Sequence, residues 1–173
     1  MSYFVVDVEA DGPSPNTGSM VCFGIVKVAD PTVTFYGETA PVHDFHVPEA
    51  LAVSGFTREE HEKFDSPEIA MFRCIKWLEE NSEGSPVFIS DNPAFDWQWM
   101  NDYFHRFCGK NPFGFSARRI GDLYCGMVKH AGKNRDWKRK FRKTAHDHNP
   151  VNDAKGNAEA LIAMKEMGLT IKF

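Results

Sequence analysis

The stretch YFVVDVEADG, residues 3–12, decides the fold: an apolar, β-branched run that reads as a buried strand carries carboxylates at Asp7 and Glu9. Side chains alternate faces along a strand, so Asp7 and Glu9 point one way while Phe4, Val6 and Val8 point the other. Two readings fit this pattern. In the first, the stretch is an edge strand with a solvated acidic face. In the second, the carboxylates would repel one another wherever water is partly excluded, and divalent cations relieve the repulsion. Oxygen-only ligands suit Mg2+ or Mn2+. A rise of about 3.3 Å per residue sets alternate carboxylates roughly 6.6 Å apart at their roots, a span that serves two ions about 3.5–4 Å apart.

Outward from this stretch, the 173 residues, 42% of them hydrophobic, are enough for one sizeable core and are expected to form a single domain over 1–173. No apolar run approaches the roughly 20 residues of a membrane helix, and the N-terminus lacks a basic segment followed by an apolar one. A cytoplasmic protein without membrane association is therefore expected. Cys22, Cys74, Cys108 and Cys125 are scattered without CxxC spacing and read as reduced, buried thiols. The net charge of −4 argues weakly against indiscriminate nucleic-acid binding, but the charge is unevenly distributed.

Turn residues separate the opening strand from a second at Met20 to Ala29 and a third at Thr32 to Glu38, which suggests an antiparallel meander. Ser66-Pro67-Glu68 then opens a helix in which Ile69, Phe72, Ile75, Trp77 and Leu78 recur at helical spacing. PVFIS reads as a short buried strand, FDWQWMNDYFHRFCG as a helix ending in Gly109, RRIGDLYC as a strand or strand end, and VNDAKGNAEALIAMKEMG as a helix stopped by Gly168. The order predicts an α/β fold with a mixed sheet flanked by helices.

Two further acids change the weight of the opening pair. Asp96, in SDNPAFDWQW, follows the apolar strand and stands in the first turn of the next helix, where sites collect in α/β sheets. On its own it would serve the helix dipole, but Asn92 and Pro93 supply the turn and cap and leave Asp96 free. In HDHNPVNDAKG, His148 precedes Asp153 by five positions at the entry to the last helix. A histidine with an ordinary pKa near 6.5 can take a proton from water at neutral pH.

VVDVEADG, DNPAFDWQW and HNPVNDA together resemble the three motifs of the DEDDh (DnaQ-like) family of 3′-5′ exonucleases, in order and over nearly the whole chain. The resemblance implies an RNase H-like fold with a mixed five-stranded sheet. It also implies metal ligands at Asp7, Glu9, Asp96 and Asp153, a general base at His148, and two divalent ions, Mg2+ or Mn2+. The related DEDDy subgroup has Tyr four residues before the last Asp, where this chain has Asn149; His146 stands two residues too early for the base. Pro150 departs from the small Ala common in the motif and stiffens the loop that carries His148.

Substrate contacts leave fainter traces. KNRDWKRKFRK, Lys133 to Lys143, holds seven basic residues in eleven, with Trp137 and Phe141 interleaved. Such a strip is often a solvated face; beside a catalytic motif it suits phosphate tracking and base stacking, through Lys133, Arg135, Trp137, Lys138 and Arg139. Phe56, Trp97 and Trp99 are of a kind more often found in a core than as stacking platforms, but the loop SGFT lies beside the terminal nucleotide in the enzymes this chain resembles, which implies that place for Phe56. His43 and His46 read as surface residues. The chain is similar to small exoribonucleases such as RNase T, oligoribonuclease and the RNase AS group. Single-stranded RNA is thus the expected substrate, DNA of the proofreading or repair type the runner-up, and a non-catalytic nucleic-acid-binding module the third reading. A homodimer is expected from the same resemblance.

Overall fold

The computed structural model describes residues 1–173. The sheet is built from β1 (Ser2–Ala10), β2 (Met20–Lys27), β3 (Thr34–Glu38), β4 (Pro86–Ser90) and β5 (Ala117–Arg119). The helices are α1 (Pro48–Val53), α2 (Arg58–His61), α3 (Pro67–Asn81), α4 (Pro93–Cys108), α5 (Ile120–Val128), α6 (Asp136–Phe141) and α7 (Pro150–Glu166), with a 3-10 turn at Ala131–Lys133. None is long and apolar enough to cross a membrane. Strand order is β3-β2-β1-β4-β5, antiparallel across β1, β2 and β3 and parallel across β1, β4 and β5. This is the mixed sheet that the element order predicts, with the five strands that the resemblance implies.

β1 lies at the centre of that sheet, which rules out the edge-strand reading. Its even residues Phe4, Val6 and Val8 pack with Met71, Cys74 and Leu78 of α3 and Trp99, Met100 and Tyr103 of α4. Its odd residues Tyr3 and Val5 pack with Ala154, Ala158 and Leu161 of α7 and with Ile120 and Tyr124 of α5. Each such side chain, buried, contributes about 1.5–3 kcal/mol, so the strand is anchored from both faces. The acids begin only where the odd face runs out of apolar partners.

α7 reaches that end of the strand because Gly24 of β2, the register partner of Asp7, has no side chain. A Cβ there would lie 2.3 Å from the Pro150 carbonyl carbon and 2.4 Å from the Val151 nitrogen, both backbone atoms that have no rotamer to give way. The first turn of α7, with Pro150 at its start, therefore lies directly on β2.

Several local expectations are corrected. IGDLYC is helical, as part of α5, and only Ala117–Arg119 of that segment pairs in the sheet. The third strand pairs from Thr34 rather than Thr32. In α3 the buried stripe is Pro67, Ala70, Met71, Cys74, Ile75 and Leu78, whereas Ile69 and Phe72 are exposed, because they lie on the face turned away from the sheet.

Gly24→Ala is expected to destabilise the protein by about 1–3 kcal/mol through overpacking. It should also displace the entry to α7. Denaturant unfolding of the variant measures the loss of stability.

Candidate active site

β1 outruns β4. The parallel ladder joins Ser2 through Val5 to Pro86 through Ile89, so further along the strand the backbone on the β4 side needs another partner. The Val8 amide finds one in Asp96, donating to its Oδ1 at 3.2 Å. Asp96 is buried in the first turn of α4. Asn92 occupies the N-cap position as expected, but its side chain makes no capping hydrogen bond. Asp91 instead pairs with Lys138.

The other half of the site hangs on the start of α7. The Asn149 side chain caps the helix, accepting from the Val151 and Asn152 amides at 3.1 and 3.2 Å, and Asp153 follows in the first turn. Asp153 Oδ1 accepts from Arg142 Nη2 at 2.9 Å, and its Oδ2 accepts from the His148 amide at 3.2 Å and lies against His146 Nδ1. His148 has a left-handed backbone, φ 60, a conformation that costs an L-residue about 1–2 kcal/mol. Its ring stands with Nδ1 3.6 Å from Glu9 Oε1. All five residues singled out in the sequence are thus brought together from three separate segments.

The donor set fits divalent cations. Single carboxylate oxygens of Asp7, Glu9 and Asp153 lie within 4.8 Å of one another. Burial first, and then Asp96, Asp153 and Glu9, raise the Asp7 carboxyl well above the usual range. Burial, with Asp153 and Asp96, pushes Glu9 up to about 7, and burial foremost pushes Asp96 up to about 7. Nearby fixed cations are few, and Arg142 opposes the rise at Asp7 only in part. Such a cluster lacks positive charge, and hard divalent ions supply it through oxygen ligands.

Phe56 lines a cavity of about 170 Å³ with Cys22, Tyr36, Val53, His148 and Pro150, beside the carboxylates. It leads into Thr57, whose capping box with Glu60 starts α2, and Arg58 ties that helix to buried Asp11 at 3.2 Å. Lys138 and Arg139 line a second hollow with Arg142, Lys143 and His146, next to Asp153. Lys133 and Arg135 are exposed ahead of α6. Trp137 corrects the stacking expectation: it is fully buried in the core under α7, and its indole N–H donates to the Asn134 carbonyl, so no base can reach its face. Two residues were missed as site members. Arg142 was legible only as one of a basic run, and His146 only as a histidine at the wrong spacing; their contact with Asp153 is a tertiary one that no local pattern signals.

No protein-family model matches the chain. It is 33% identical over 162 residues to the 3′-5′ DNA exonuclease Cap18 of Escherichia coli, covering 89% of this chain and 86% of that protein. The nuclease domain of 3′hExo, a DEDDh family member bound to rAMP, superposes with a TM-score of 0.81 at 16% identity, over 99% of this chain and 94% of that one. The zinc-bound complex of E. coli ExoI with single-stranded DNA superposes with a TM-score of 0.71 at 16% identity, over 97% of this chain and 41% of that one. The shared fold is RNase H-like.

Carboxyls that titrate near 7 when folded, against about 4 to 4.5 when unfolded, leave the folded state holding more protons across that window. Their contribution to stability therefore falls as pH rises from about 4 to about 7, and a bound divalent ion should restore it. In chelator, the melting temperature of Asp7→Asn minus that of wild type is expected to grow from pH 5 to pH 8. A change of about 2–4 °C corresponds to 1 kcal/mol in a domain of this size. Saturating Mg2+ is expected to raise the melting point of wild type at pH 8 and not that of the variant.

Proposed function

Because the chain belongs to the DEDDh family of 3′-5′ exonucleases, we propose that it removes nucleoside 5′-monophosphates stepwise from the 3′ ends of single-stranded DNA by metal-dependent hydrolysis. The observation that carries this reading is the convergence of Asp7, Glu9, Asp96 and Asp153 at one end of β1, with His148 beside Glu9. The four carboxylates would hold two ions, Mg2+ or Mn2+, whose chemistry is Lewis acidity that offsets charge on the reacting phosphate and the departing 3′ oxygen. His148 takes a proton from the attacking water at Nε2, since its Nδ1 faces Glu9. The ring is half exposed and can pass the proton on to solvent.

Phe56 and the cavity beside His148 receive the terminal nucleoside, while Lys138 and Arg139, with Lys133 and Arg135 further out, attract the phosphates upstream. An rAMP complex and a single-stranded DNA complex share this fold, so the sugar is read by local contacts rather than by topology. The expectation of RNA rested on likeness to small exoribonucleases. The relative that matches most of the chain carries DNA in its name, and this shifts the reading to DNA. A homodimer remains part of the proposal on the family resemblance, and sedimentation of the purified chain measures it.

Matched 5′-labelled DNA and RNA oligonucleotides, each incubated with Mg2+ or Mn2+, are expected to show a ladder shortening from the 3′ end of DNA. Shortening of RNA alone would restore the exoribonuclease reading, and an intact substrate under every condition would favour a binding module. His148→Ala is expected to keep metal and DNA binding while turnover falls by about 10²–10⁴-fold. An equal loss of metal affinity in that variant would remove His148 from the role of base.

A further inference from the structure

His146 has no part in the hydrolysis described above, yet it stands where a ligand would. Its ring centroid is 4.4 Å from that of His148. One donor atom from each of His146, His148 and Asp153 lies within 4.8 Å of the other two. Arg142 donates to Asp153 Oδ1, while Oδ2, which accepts from the His148 amide, lies against His146 Nδ1. The segment bearing them is held at both ends. Before it, the Lys143 and Thr144 amides and the Thr144 hydroxyl donate to Glu159 of α7 at 2.8 to 3.0 Å. Within it, Asp147 accepts from the Asn149 amide at 3.0 Å and from the Asn152 side chain at 2.8 Å.

Two imidazoles and one carboxylate form a donor set unlike the oxygen-only cluster of Asp7, Glu9, Asp96 and Asp153, with which it shares Asp153. Nitrogen ligands at bond lengths of about 2.0–2.1 Å in a tetrahedral array with one open position are characteristic of zinc, whereas Mg2+ prefers oxygen. Tetrahedral ligation needs donors about 3.3 Å apart. His146 Nδ1 stands 2.5 Å from Asp153 Oδ2, closer than that, so the two rings, whose side chains are 56% and 49% exposed, must turn to set the tetrahedral spacing.

We propose that His146 and His148, together with Asp153, which they share with the carboxylate cluster, form a site for one zinc-like transition-metal ion, and that its occupation inhibits the enzyme. The ion would take the lone pair with which His148 accepts a proton and would engage Asp153 Oδ2, so hydrolysis stops while Mg2+ is still abundant. The inhibitory half of this proposal rests on the nuclease reading; the binding half does not.

The test titrates zinc by calorimetry into wild type, His146→Asn and His146→Cys, each in the same saturating Mg2+, so that the three proteins differ only at residue 146 while Mg2+ competes equally for the shared Asp153. Wild type is expected to take one equivalent, His146→Asn to bind at least tenfold more weakly, and His146→Cys, which restores a zinc ligand, to recover most of the affinity. Cobalt as a probe should give tetrahedral d–d bands in wild type and His146→Cys only. In the nuclease assay the zinc concentration for half-inhibition, taken relative to each variant's own zinc-free rate, is expected to rise at least tenfold in His146→Asn. Equal zinc affinity in all three proteins would overturn the proposal, and so would a loss in His146→Asn that cysteine does not repair. Calorimetry and cobalt spectra need no turnover, so an inactive chain that binds zinc through His146 would sink the nuclease reading and leave the site standing.

Discussion

Asp7, Glu9, Asp96 and Asp153 repel one another, and the rest of the structure is arranged to hold them together in spite of it. Asp7 and Glu9 are fixed by a strand buried on both faces, while Asp96 and Asp153 each stand in the first turn of a helix. The N-terminal ends of α4 and α7 carry partial positive charge, and both are aimed at the same anionic spot. Single hydrogen bonds complete the support: the Val8 amide to Asp96, the His148 amide and the Arg142 guanidinium to Asp153. These are partial charges and one full one set against four carboxylates. The balance left over appears as the raised proton affinity of Asp7, Glu9 and Asp96, and a divalent cation answers the same deficit.

Geometry at the sheet end follows from two mismatches in length and size. β1 has nine residues and β4 five, so β1 projects beyond its parallel neighbour and exposes backbone that a side chain from α4 must satisfy. On the opposite edge, Gly24 removes the one Cβ that would keep α7 off β2. Small residues continue the close approach along the helix, with Ala154 and Ala158 against the sheet and Gly156 beneath Arg142. A Cβ at Gly156 would lie 2.7 Å from Arg142 Nε, so the guanidinium reaches Asp153 only because that position is bare.

The candidate carboxylates and His148 could be singled out because Asp7 and Glu9 alternate along a strand, Asp96 and Asp153 stand at helix starts, and the three stretches that hold them resemble the DEDDh motifs. The antiparallel meander of the first three strands was legible from the turn residues between them. What failed locally was decided by tertiary packing. Ile69 and Phe72 match a helical period, but the sheet meets α3 on the stripe through Met71, Cys74 and Leu78. IGDLYC is apolar enough for a strand, yet the sheet has no partner for it beyond Arg119, and the segment folds back as α5. Trp137 illustrates the hazard of reading aromatics in a basic run. The charges of α6 face outward because Trp137 is the residue that fastens the helix to the core.

An exposed histidine makes a poor general base if its ring wanders, and His148 is half exposed. Its position is fixed by backbone rather than by burial. The left-handed turn at His148 is over-determined by its own amide bonded to Asp153, by Asn149 capping α7, and by Asp147 bridging Asn149 and Asn152. A ring held in this way stays open to water on one side, so protons can come and go. The opening that lets protons exchange also lets the neighbouring His146 ring stand within contact of it. A base kept accessible for turnover is for the same reason accessible to any ion that prefers nitrogen to oxygen.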